Sequence, residues 1–260
     1  MRLRIHATLS YTYSEPVHKA HVEVRLAPAA TARQLVLAHP LAVDPSGFAL
    51  TYDDYWGTRV TELEVREAHT RFTTSLLSDV NVTAGPFRRL AADFTHLDAP
   101  SVADSFCEFL LPGDPTPVTA ADHQRATAAR AAAGTPTHLV ETLSGTLANA
   151  AAGEAATDEV THRVIAALRS VGVPARFVSG YRAPDDAEPG SPTPAVITSW
   201  LDYWDGAWHG WDPSLGQPVG LRHVIIGWGR DRSDCPTLRA IYSGDAQAEC
   251  HTEVVVTRLA

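Results

Sequence analysis

Apolar and polar side chains alternate through the first third of the chain. In "RLRIHATLSYTY" they trade places almost residue by residue, the period of two that turns one face of a strand toward a core. "EPV" interrupts the run, "AHVEVRLAP" resumes it, and "RQLVLAHPLAV" follows, ending in the turn "DPSG". "YWGTRVTELEV" and "TRFTTSLLSDVNV" complete the set. Alternation punctuated by Pro and Gly predicts an antiparallel sandwich or meander over residues 1–85.

The period then lengthens. Residues 86–150 are Ala-rich, with turns at "PGDPTP" and "GTP", and predict helices over about 120–133 and 137–151. Thr119 or Asp122 would cap the first, and Gly134 suits its end. From Thr157 to Val171, residues Thr157, Thr161, Val164, Ile165, Leu168 and Val171 fall on one helical stripe, which Gly172 stops. "PARFVSGY" reads as a strand and "EPGSPTP" as a surface loop. "AVITSWLDYWDGAWHGWDPS" gives two strands about a tight "DG" turn, and "HVIIGWGRD" and "CHTEVVVTRL" supply closing strands. The expected architecture is α+β: an N-terminal antiparallel β domain (1–85), then a domain of helix packed on antiparallel sheet (86–260).

Composition adds limits. The 260 residues, 45% hydrophobic and 20% charged, suit a soluble globular protein, and no apolar run is long enough to span a bilayer. The N-terminal stretch lacks the apolar core of a signal peptide, so the cytoplasm is the expected location. With a net charge of −9 and no basic run, neither a nucleic-acid nor a membrane partner is expected. Lys19 is the sole lysine, and the abundance of Ala, Arg and Pro fits a GC-rich bacterial genome. Cys107, Cys235 and Cys250 are dispersed and odd in number, which disfavours a disulfide framework or a zinc knuckle; small buried hydrophobes are the expectation.

Several motifs in order carry a resemblance. "YTYSEPV", "VRLAP", "DYWGTRV" and "EFLLPG" in the first part, then "THRVIAALRSVGVPARFVSGY", "WHGWDPS" and "WGRDRSDCPTLRAI", together resemble the bacterial transglutaminase-like superfamily, of papain-like fold, over nearly the whole length. The resemblance implies a Cys-His-Asp site. Its cysteine sits at the N-terminus of the long helix in G-x-C-x-D, its histidine on the next strand in H-A-W, and its aspartate in a D-P motif. The thiolate attacks an acyl carbonyl, and the histidine it needs is oriented by the aspartate.

Carried over by alignment, the nucleophile position falls on Thr157 and the motif aspartate on Glu159. Thr198 stands at the histidine, Trp200 keeps the tryptophan, and Asp212 keeps the third position. Before the helix, "LSGTLANAAAGEAA" is shorter and less aromatic than the family's approach. A threonine hydroxyl needs a strong adjacent base, so the family's acyl transfer is not expected. Thr157 would serve as a helix cap and Thr198 as an ordinary strand residue.

Asp212 in an apolar cleft would have its pKa raised and serve as general acid or base, or else be a satisfied turn carboxylate. His209, three residues before Asp212, is either a displaced base or a packing residue. Asp158, Glu159 and His162 cluster in the first turns of the helix, where acidic residues favour the dipole; Glu159 and His162 also have the E-x-x-H spacing of a carboxylate–histidine metal pair, but the family often carries a structural histidine there, and neither metal nor cofactor is expected. Trp200, Trp204, Trp208, Trp211 and Trp228 crowd the second part, mostly as core, a few lining a cleft for an apolar or planar ligand. Two readings stay open: a repurposed non-cysteine enzyme acting on a small acyl or amide substrate, or an inactive relative that binds a small-molecule, acyl or peptidyl ligand.

Overall fold

The computed structural model describes residues 1–84, 93–113, 117–150, 157–185 and 187–259, with backbone only at 149 and 150. The expected boundary at 85/86 and residue 151 of the second expected helix lie outside the described residues. The N-terminal strands are β1 (Arg2–Val24), β2 (Gln34–Ala38), β3 (Leu41–Asp44), β4 (Phe48–Asp53), β5 (Arg59–Val65) and β6 (His69–Val82). Helices α1 (Phe94–Leu97), α2 (Pro100–Ser105), α3 (Ala120–Ala132), α4 (Pro136–Ala150) and α5 (Thr157–Arg169) follow. The chain then forms β7 (Ala175–Arg182), β8 (Pro192–Trp204), β9 (Trp208–Asp212), β10 (Gln217–Pro218), β11 (His223–Gly229), β12 (Leu238–Ser243) and β13 (Ala248–Arg258). The fold is α+β, and among the described residues the strands join into one curled antiparallel sheet. No described helix is long and apolar enough to cross a membrane.

β1 organises the N-terminal part. Leu3–Tyr13 pair with β13 on one side, and Arg2–Thr12 with β6 on the other; Ala20–Val24 then pair with β5, while β12 flanks the same segment. The "EPV" interruption therefore bends one strand and does not end it. Register slips against β6 between Thr12 and Val17, and against β12 between His18 and His21, with Lys19 at φ 48°. Pro16 has no N–H to give a ladder, and a bulge is where a sheet tolerates that. The alternating residues Leu3, Ile5, Ala7 and Leu9 face a core shared with Leu63, Phe72 and Leu76. Tyr181, Val224 and Ile226 from the later strands enter the same core. The Tyr181 hydroxyl, fully buried, donates to the Leu26 carbonyl at 2.7 Å.

A second core lies between α3–α5 and β7–β9. Val164, Ile165 and Leu168 of α5 pack with Leu139 and Leu143 of α4 against Phe177, Leu201 and Trp211. The α5 stripe is buried at Thr161, Val164, Ile165, Leu168 and Val171, with Thr157 half-buried. Thr119 caps α3, accepting from the Asp122 N–H, and Gly172 ends α5 at φ 79°, a backbone region where a Cβ costs energy. Arg169 is buried, with its guanidinium given over to backbone carbonyls. It donates to the carbonyls of Ala175, Leu111 and Arg230, and burial brings its pKa down to about 10. Of the three thiols, all free, Cys235 is buried as expected, whereas Cys107 and Cys250 are exposed. Cys107 begins a one-turn 3-10 helix with no buried residue, and Cys250 lies on the exposed first half of β13.

Candidate functional site

α5 aims its first turn at β8. β7 and β8 are antiparallel, with Ser179 opposite Ser199, Gly180 opposite Thr198 and Val178 opposite Trp200. Side chains alternate along β8, so Ser199 and Trp200 leave the strand on opposite faces. Ser199 meets the helix: its hydroxyl donates to Asp158 Oδ1 at 2.6 Å and lies 3.4 Å from Thr161 Oγ1. The other oxygen of Asp158 pairs with Arg232 Nη1 at 2.9 Å. The backbone N–H of Arg232 donates to His162 Nε2 at 3.1 Å, and the His162 ring stacks on Phe177 with centroids 4.8 Å apart. Burial lowers the His162 pKa although Asp158 and Asp231 pull it up, which agrees with an Nε2 that accepts.

Asp158, Ser199 and Arg232 border a cleft of about 380 Å³, lined also by Phe177, Ser179, Thr198 and Cys235 among others. Burial raises the pKa of the Cys235 thiol, which is 3% exposed, so the thiol stays protonated. An anionic Asp158 in the first turn of α5 sits where the helix dipole favours negative charge. In this cleft the carboxylate itself answers that field.

The opposite face of β8 carries a second network. Asp212 has no exposed surface and accepts from Arg182 Nη1 (2.8 Å), the Ser214 hydroxyl (2.6 Å), the Ser214 N–H (2.9 Å), the Leu215 N–H (3.3 Å) and His223 Nε2 (3.1 Å). His223 Nδ1 accepts from the Gly220 N–H, so Nε2 carries the proton that Asp212 receives. Burial pulls the Asp212 pKa up, but the hydrogen bonds from His223, Ser214 and Arg182 outweigh it and hold it at about 2. The Trp200 ring meets His223 edge-on at 5.1 Å and covers Gly180, where a Cβ would stand 2.2 Å from the indole.

The residues singled out from the sequence therefore separate. Thr198 lines the cleft; Thr157, at the start of α5, is not among the lining residues. Trp200 is fully buried and belongs to the Asp212 side. Glu159 is exposed, where its charge supports Arg163. His209 pairs with Asp205 at 2.8 Å and lines a different cavity, of about 310 Å³, beside Arg176, Asp202 and Trp208. No hydrogen bond joins Thr157, Thr198 and Asp212 among the described residues. Nor does any group of three His, Cys, Asp or Glu there come together to hold a metal.

Sequence reasoning placed Asp158 in the acidic first turn of the helix but missed its partners Ser199 and Arg232, and it missed His223. Ser199 had a signal: it is one position from Thr198, and a one-residue shift on a strand exchanges the faces. Arg232 and His223 reach their partners over 74 and 11 residues of chain respectively, and nothing local announces that.

Residues 3–81 match the bacterial transglutaminase-like N-terminal region, and residues 122–213 match the transglutaminase-like superfamily. An uncharacterized protein of Mycobacterium leprae is 30% identical over 277 residues, covering 100% of this chain and 99% of that protein. An uncharacterized protein of Mycobacterium tuberculosis is 28% identical, covering 92% of this chain and 87% of its own length. Among solved structures, a candidate cysteine protease from Cytophaga hutchinsonii superposes with a TM-score of 0.71 at 19% identity, over 98% of this chain and 90% of that one, a likeness of fold. The chain belongs to the transglutaminase-like superfamily, with the bacterial transglutaminase-like N-terminal region ahead of the core.

Proposed function

We propose that this transglutaminase-like protein binds a ligand in the cleft at the start of α5 and does not carry out covalent acyl transfer. The observation that carries the reading is the Ser199–Asp158–Arg232 array. It sets a paired carboxylate in the first helical turn, where the family mechanism needs a thiolate beside a histidine. The alignment supports it, with Thr157 and Thr198 at the cysteine and histidine positions. Asp212 supports it as well: Arg182, Ser214, Leu215 and His223 already donate to its carboxylate, and a pKa of about 2 leaves it no proton to give at neutral pH.

The test is a panel of chromogenic ester, thioester and anilide substrates, read against buffer and against the Ser199→Ala and Asp158→Asn variants. Rates equal to buffer for all three proteins are expected. Turnover by the parent chain that either substitution abolishes would sink the binding reading. It would support a second one, that of a repurposed enzyme using non-covalent acid–base chemistry on a small acyl or amide substrate. That reading draws on the 2.6 Å contact, which puts a hydroxyl proton within reach of a carboxylate inside a cleft.

A further inference from the structure

The cleft has one carboxylate and many hydroxyls. Ser179, Thr198, Ser199, Thr237 and Thr252 line it together with Asp158, and Arg232 is the one cation among the lining residues. The guanidinium of Arg232 already rests on Asp158, yet its side chain remains 69% exposed, against 27% for Asp158. An ion pair so open to water contributes only about 0–1 kcal/mol, so a competing cation displaces it at low cost. The Arg232 backbone is held separately, through its N–H to His162, so the side chain can leave without moving the turn. Ser199 meanwhile fixes the other carboxylate oxygen and keeps Asp158 aimed.

We infer that the cleft takes a guanidinium-bearing ligand, such as an arginine side chain of a peptide, with Arg232 as a built-in competitor at Asp158. The inference rests on the binding reading above. A guanidinium brings five N–H donors in one plane together with a positive charge, which the Asp158 carboxylate and the hydroxyls lining the cleft can accept, whereas an anionic group would be repelled by Asp158. Half-buried Ile197, on the same face of β8 as Ser199, gives the ligand's aliphatic stem an apolar wall at the same cleft.

The experiment is titration of the full chain with N-acetyl-L-arginine amide by calorimetry and amide NMR, with the lysine, leucine and glutamate analogues alongside. The arginine probe should bind tightest and shift the amides of Asp158, Ser199 and Arg232. Arg232→Ala should tighten binding about two- to five-fold, the weight of an exposed ion pair, and Asp158→Asn should reduce it at least ten-fold. Equal binding of the lysine probe, shifts elsewhere in the wild-type protein, or an Arg232→Ala variant that binds no tighter would each overturn the inference. The wild-type shift map decides the matter even if a variant fails to fold. Binding of the leucine or glutamate probe at the same amides would end the guanidinium assignment and leave the binding reading standing; catalytic turnover in the substrate panel would end that reading itself.

Discussion

Asp212 is a buried anion with donors from four residues, Arg182, Ser214, Leu215 and His223, and its response to acid follows from that. Its folded pKa lies below the ordinary 3.8, at about 2. A depressed carboxylate stabilises the fold fully above the unfolded pKa and loses that contribution as pH falls toward the folded one. The window is thus from about pH 4 to about pH 2. Urea midpoints measured across it should fall more steeply for the wild-type chain than for Asp212→Asn. At neutral pH that variant leaves Arg182 and His223 facing a neutral amide, and a loss of roughly 3 kcal/mol in urea unfolding is expected. A loss under about 1 kcal/mol would mean the network contributes little to the fold. "WDPS" pointed to Asp212 directly. The donors around it, Arg182 on β7 and His223 on β11, are invisible in that motif, and so is the sign of the pKa shift. Read from the sequence, an apolar cleft would have raised the pKa; the assembled hydrogen bonds lower it.

At the level of elements, the helix ends and the sheet crossings depend on single glycines. Gly172→Ala forces a Cβ into φ 79° and places it 3.2 Å from Arg130 Nη1, whose guanidinium holds Asp98 and the Val171 carbonyl. A cost of about 1 kcal/mol or more is expected from the conformation alone, seen as a lower melting temperature. Gly180→Ala should be harsher, about 2 kcal/mol or more, because its Cβ would meet the Trp200 ring at 2.2 Å and the Val224 carbonyl at 2.4 Å. A Gly180→Ala variant melting like the parent would mean that β7 and Trp200 can move apart. The first glycine was legible: an apolar stripe that ends at "VGVP" announces a helix stop. The second was not, since its need comes from an indole on β8 and a carbonyl on β11. The bend in β1 divides the same way. "EPV" shows that something happens near Pro16, but that the strand continues depends on β5 and β12, far along the chain.

For the molecule as a whole, the two sequence regions share structure. β13 lies between β1 and β8, and Tyr181 reaches Leu26 through buried space. Unfolding should therefore be a single cooperative transition. Five of the six tryptophans lie at or beyond residue 200, so fluorescence reports mainly on the later part while far-ultraviolet circular dichroism reports on both. Coincident urea curves from the two probes are expected; separated midpoints would show that the N-terminal strands unfold on their own.

The pairing of β1 with β13 also bears on the order of events at the ribosome. Leu3 to Tyr13 emerge more than 230 residues ahead of their partners, Ala248 to Arg258. Until those are made, the edge of β1 that β13 will cover presents unpaired N–H and C=O groups to any strand nearby. A chain halted before residue 248 is thus stranded with a sticky edge, and closure of this long loop waits until β13 has been made.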